Sequence, residues 1–139
     1  MSLGKGHKAS PAGSTERPWL TQPAHWASLS VEAQAADPGS MLNLYRAALL
    51  IRRDEADLGD GPLVWWSSPP ETLAFARGPR FLSLTNLSGA ALPLPPHAAV
   101  VLASADVSDH HLPPDATVWL RPIVDGVAEP AWRLPDEDR

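Results

Sequence analysis

Cysteine is absent from all 139 residues, which excludes disulfides and thiolate metal centres outright. Basic charge is scarce: eleven Lys and Arg against sixteen Asp and Glu give a formal net charge of −5. No cationic stripe is available for phosphates, which argues against nucleic acid as a partner. No apolar run approaches the roughly 20 residues that a bilayer-spanning helix needs. The first residues, MSLGKGHKASPAGS, have lysines with no apolar stretch behind them and so form no secretory signal. A soluble, cytoplasmic protein is expected, with no membrane association.

Proline and tryptophan are plentiful instead. Sixteen prolines and nine glycines cut the chain into short pieces and favour turns and short strands over long helices. A hydrophobic content of 44% suffices for a core and argues against wholesale disorder. Residues 1–18 lack periodicity and are expected to be a disordered arm. Residues 19–61 begin with a loop rich in Trp and Pro, where Trp19, Leu20, Trp26, Leu29 and Val31 supply apolar anchors. Asp37-Pro38 then reads as a helix start, with Asp37 as the cap and Pro38 at the first helical position. Met41, Leu44, Tyr45, Ala48, Leu49 and Arg52 follow the i, i+3, i+4 rule, and Leu42, Leu50 and Ile51 widen that face. One long apolar helix is expected, closed by Arg52-Arg53 and by the turn Gly59-Asp60-Gly61-Pro62.

After Pro62 the period becomes extended. Strands are expected at 63–67, 73–77, 81–87, 99–104 and 117–122, separated by Pro- and Gly-bearing turns. LAFAR-GP-RFLSLTN reads as a hairpin, in which proline argues against the commonest two-residue turns. Residues 62–122 are therefore assigned to a small antiparallel β-sandwich and 123–139 to a tail, giving an α+β chain overall.

Few residues invite a chemical role. Asp109, His110 and His111 are the densest titratable cluster. Adjacent strand residues face opposite sides, however, so the two histidines do not readily share a metal, and a solvated loop before Pro113-Pro114 is the favoured reading. No Gly-x-Ser-x-Gly elbow exists for a nucleophilic hydrolase. Gly4-Lys5-Gly6-His7-Lys8 lacks the strand, helix and closing Lys-Ser/Thr of a phosphate loop. Asn86-Leu87-Ser88 matches a glycosylation acceptor but fits a strand end better in a chain without an export signal. Glu32, Glu71, Asp106 and Asp115 are scattered and suggest no paired acid and base. Trp65-Trp66 is the most informative pair, since one ring should enter the core and the other face solvent. An exposed ring there is a candidate platform for sugar stacking.

VEAQAADPGSMLNLYRAALLIRR resembles the last helix of the catalytic barrel in the α-amylase family of glycoside hydrolases, closest to the actinobacterial α-glucosidase and oligo-glucosidase branch. The family pattern falls on Val31, Gln34, Asp37, Pro38, Ser40, Tyr45, Arg46, Arg52 and Arg53. Trp19-Leu20 with Gln22-Pro23 is similar to the loop before that helix. LGDGPLVWW, LAFARGP, FLSLTNLSG, LPLP and ATVWLR resemble the β-domain that follows the barrel. The likeness covers roughly residues 18–121. It implies a parental activity, retaining hydrolysis of α-glucosidic bonds in malto- or isomalto-oligosaccharides by two carboxylates.

A β/α barrel takes about 250 residues, and the whole sequence has 139. The barrel strands that would bring the nucleophile and the acid/base have no counterpart, so no position inherits a catalytic, cofactor-binding or metal-ligating role. The expectation is a catalytically silent C-terminal piece of an α-glucosidase, parted from its barrel by truncation or rearrangement, whose work is packing. Its expected partners are the missing barrel or a second copy bound through the apolar helix. Two alternatives stand beside it. One is a free-standing carbohydrate-binding β-module that takes an oligosaccharide at Trp65 or Trp66. The other is one half of a split glycosidase.

Overall fold

The computed structural model describes residues 20–21, 23–123 and 132. The expected arm at 1–18, Trp19, Gln22 and all of the expected tail except Ile123 and Trp132 lie outside them. Internal packing divides the chain into two compact units, residues 1–47 and 48–139.

In the first unit a 3-10 turn, Ala24–Leu29, leads to a short helix α1, Val31–Ala35. Ser30 caps α1 by accepting from Ala33 N–H at 3.2 Å, which satisfies one of the donors left free at a helix start. The main helix α2, Met41–Asp54, starts later than the Asp-Pro signal suggests. Asp37 spends its carboxylate on Gly39 N–H (2.9 Å), making a local turn. Ser40 does the capping, its Oγ accepting from Asn43 N–H at 3.3 Å. The expected start at Asp37-Pro38 is therefore corrected: the capping residue is Ser40, and the helix begins at Met41.

The second unit starts inside α2 and holds all the strands among the described residues. They are β1 Leu63–Trp65, β2 Thr72–Arg77, β3 Phe81–Asn86, β4 Leu92–Pro93, β5 His97–Ala103, β6 His111–Leu112 and β7 Ala116–Pro122. Five form an antiparallel sheet in the order β1-β2-β3-β7-β5, and β4 pairs with β6 in a two-stranded ribbon. The β2–β3 hairpin closes at Arg77↔Phe81 through Gly78, Pro79 and Arg80, a longer link than the two-residue types, as the proline requires. Gly78 has φ +56, and a Cβ there would lie 2.5 Å from Asp57 Cγ. Only glycine meets both demands.

Cross-strand register puts Ala74, Leu84 and Val118 in one row and Ala76, Leu82 and Leu120 in the next, all on the same face. Ala74, Leu82, Leu84, Ala116, Val118 and Leu120 join Leu112 of β6 and Trp132 in one buried cluster, flanked by Trp66, Leu92, Leu94, Ala103 and Val107. Each of its leucines contributes about 1.5–3 kcal/mol through burial. Trp132 falls in the stretch assigned to the tail, yet it is 2% exposed. Its indole N–H donates to Pro93 O (2.8 Å) and its backbone N–H to Ser67 O (2.7 Å). That residue is core. The observed arrangement of the described residues is thus α+β, with one five-stranded antiparallel sheet and a ribbon contributing to the core on one of its faces.

Candidate functional site

Side-chain alternation along β1 separates the tryptophan pair as expected. Trp66 lies on the core side, its N–H bonded to Ala74 O at 2.9 Å. Trp65 is 62% exposed and meets Phe75 edge to face, with centroids 5.6 Å apart and planes at 72°. Its neighbours on the same face of β1 and β2 are Leu63, Leu73, Phe75 and Arg77. A sugar site needs convergent hydrogen-bonding groups beside a stacking ring. No carboxylate or amide occupies a register position on that face of the two strands, and Arg77 Nη2 already donates to Gly59 O. The strip is an apolar contact surface with one cation at its end.

Glu32, Glu71 and Asp115 lie on separate elements. Glu32 sits in the first turn of α1, while Glu71 and Asp115 occupy left-handed turn positions with φ 57 and 53. Asp109 and His110 also have positive φ, 55 and 57, and His111 opens β6 with Nδ1 2.7 Å from Asp109 O. Among the described residues no group of three or more His, Asp or Glu could hold a metal ion.

Glu55 is the one carboxylate buried among the described residues, and sequence reasoning missed it. It follows α2 directly, accepts from Asp57 N–H (3.4 Å) and forms an ion pair with Arg121 of β7. The Arg121 hydrogen bond holds the Glu55 carboxyl below the usual value of 4.5, outweighing burial, which pushes it up; the Asp57 N–H and Arg80 act with Arg121. Beside it Asp57 accepts from Arg80 N–H at 2.8 Å and so braces the hairpin loop. Both carboxylates are consumed in holding the chain end of α2 to the sheet, an architectural task.

Asn86 of the apparent glycosylation site is 0% exposed. Its Nδ2 donates to Ala90 O (2.7 Å), Leu112 O (3.0 Å) and Pro113 O (3.1 Å), while Oδ1 accepts from Ser88 N–H (3.0 Å) and Ser88 Oγ–H (2.7 Å). A fully buried and fully bonded amide is no acceptor for glycan. It pins the end of β3 to β6.

The motif residues of the helix region are likewise structural. Gln34 Nε2 donates to Leu29 O (2.8 Å), and its Oε1 accepts from Leu42 N–H (3.0 Å). Gln34 O accepts from Ser40 Oγ–H (2.7 Å) and Asn43 Nδ2 (3.0 Å), and Asn43 also donates to Asp37 O (2.7 Å). Gln34, Ser40 and Asn43 thereby clasp the end of α1 to the start of α2. Presented by that clasp, α2 shows two unlike faces. Leu44, Ala47, Ala48 and Ile51 are half-buried. Met41, Tyr45 and Leu49, which recur at intervals of four, are 61%, 64% and 61% exposed. Leu50 is exposed as well, and Arg46, Arg52 and Arg53 stand around this stripe.

No protein-family profile matches the sequence, and no curated protein matches it. Solved structures do. A mutant isomaltulose synthase of Erwinia rhapontici NX5, in complex with its natural substrate sucrose, aligns over 85% of this chain at 22% identity and a TM-score of 0.63. An α-amylase from H. orenii aligns over 73% at 21% identity and a TM-score of 0.55. An α-glucosyl transfer enzyme, XgtA, aligns over 75% at 26% identity and a TM-score of 0.54. The chain spans only 24%, 25% and 22% of those proteins. What is shared is the fold of a limited part of α-amylase-family glycosidases, and the five-stranded antiparallel sheet is consistent with their C-terminal β-domain.

Proposed function

We propose that this chain is a non-catalytic packing region of an α-amylase-family glycosidase, comprising the closing helix of the barrel and the β-domain, here a sandwich of sheet and ribbon. The parent is a cytoplasmic α-glucosidase or oligo-glucosidase of the actinobacterial kind, acting on malto- or isomalto-oligosaccharides. One observation carries the reading: α2 is held by a specific polar clasp, yet it leaves Met41, Tyr45 and Leu49 uncovered. A helix fixed so deliberately with an apolar stripe outward is built for a partner. The partner is a catalytic barrel, carried elsewhere on the same protein or on a separate chain as in a split glycosidase.

Expressed alone, the full chain should bind a hydrophobic dye and self-associate on gel filtration. Co-expressed with a barrel of this family, it should become monomeric within a complex that cleaves a chromogenic α-glucoside. A clean monomer that binds no dye overturns the proposal. A second reading, oligosaccharide binding, rests on the exposed Trp65 ring. Maltotriose at millimolar concentration should then change the tryptophan fluorescence of the native chain and not that of Trp65→Ala; an unchanged signal in both removes it.

A further inference from the structure

The ribbon end of the second unit brings together two histidines on consecutive elements. His97 opens β5, an edge strand, and His110 ends the tight turn Ser108–His110 before β6. Their ring centroids are 5.7 Å apart with planes at 60°. Two imidazole nitrogens about 2.0–2.1 Å from one tetrahedral cation put their ring centroids roughly 5–5.5 Å apart. The observed spacing is within a small side-chain adjustment of that geometry.

A second feature points the same way. Nδ1 of the half-buried His97 lies 2.8 Å from Pro95 O. A carbonyl accepts and cannot donate, so the proton of the neutral ring sits on Nδ1 and the lone pair is on Nε2. Orientation of an imidazole by a backbone carbonyl is the outer-shell arrangement of metal-bound histidine. The His110 side is fixed through its backbone, whose carbonyl accepts from Leu94 N–H at 2.8 Å. We propose that His97 and His110 form a two-point site for a borderline transition-metal cation, such as Zn2+ or Ni2+. No third His, Asp or Glu completes the set among the described residues, so water fills the other positions and the bound ion exchanges readily. Such a site serves reversible binding. It is distinct from the docking stripe of α2 and stands or falls independently of the proposed function.

The test uses the untagged full chain and zinc or nickel chloride alone, followed by calorimetry and by the histidine side-chain NMR signals. Saturable binding to one ion is expected, with shifts in the His97 and His110 rings and none in His25. His97→Gln keeps a donor for Pro95 O, and His110→Asn suits a left-handed position; each should weaken binding by about tenfold or more. His111→Gln should leave it unchanged. Absence of saturable binding up to about 1 mM metal, or binding that survives both substitutions in proteins with native circular dichroism, overturns the site. The first result would leave the rings as an ordinary edge contact.

Discussion

β3 and α2 teach opposite lessons about apolar sequence. α2 has the larger share of hydrophobic side chains, nine of fourteen against three of six in β3. Yet β3 buries five of its six residues and α2 buries none. β3 lies third in a five-stranded sheet, with neighbours on both edges, and even its polar Ser83 and Asn86 are buried. α2 exposes a stripe, Met41, Tyr45 and Leu49, that the described residues leave uncovered. Apolar periodicity announces that a face wants a partner. It does not say whether the partner is in the same chain.

That contrast predicts that stability is concentrated in the sheet and that the helix stripe bears on association. The largest effect should come from Trp132→Ala, which removes a core side chain and the donor to Pro93 O. A loss of about 3–5 kcal/mol is expected, measured as a fall in the urea midpoint; an unchanged midpoint would place Trp132 outside the core. Asn86→Ala comes next. It strips three carbonyls of a buried donor and should cost about 2–3 kcal/mol by the same measurement.

A smaller effect should appear on the acid side. Because the Glu55 pKa is depressed in the folded chain, its contribution is present in full above the unfolded value near 4.5. It is lost as pH falls through the lower folded value. Thermal melts of Glu55→Gln should therefore lie below those of the native chain at neutral pH and converge with them in acid. Curves that stay parallel would show that the Arg121 pair adds nothing. The smallest effect on stability should come from the stripe: Met41→Ser, Tyr45→Ser and Leu49→Ser are each expected within about 0.5 kcal/mol of neutral. Together they should abolish dye binding and self-association, readouts that Trp132→Ala addresses only by unfolding. If the triple variant unfolds while its association persists, the contrast between sheet and helix collapses.

Much of the sheet was legible because its signals are local. Alternation located β2, β3 and β7, proline and glycine marked the hairpin, and the same alternation put one of Trp65 and Trp66 inward and the other outward without saying which. β4 and β6 were missed because two-residue strands are too short to have a period. Trp132 was missed because an isolated tryptophan in a polar, proline-flanked stretch has no pattern to declare its burial. Glu55 with Arg121 was invisible for a different reason: the pair joins elements separated by several others, and no local rule connects them; His97 and His110, on consecutive elements, meet only through the turn between them. The clasp lies between these cases. Gln34 and Ser40 belonged to the motif that suggested the family, but Asn43 did not, and their mutual bonds required the turn at Asp37–Gly39.

The sequence by itself determined the local decisions: where the chain turns, where a helix runs, which strand residues share a face, and that α2 is apolar on a wide front. Those follow from φ/ψ preferences and periodicity, which act over a few residues. Tertiary structure alone decided which apolar faces are covered, which carboxylate is buried and paired, and which histidines meet. Such outcomes depend on strand order and register, and these bring distant segments together through contacts that no short stretch of sequence contains.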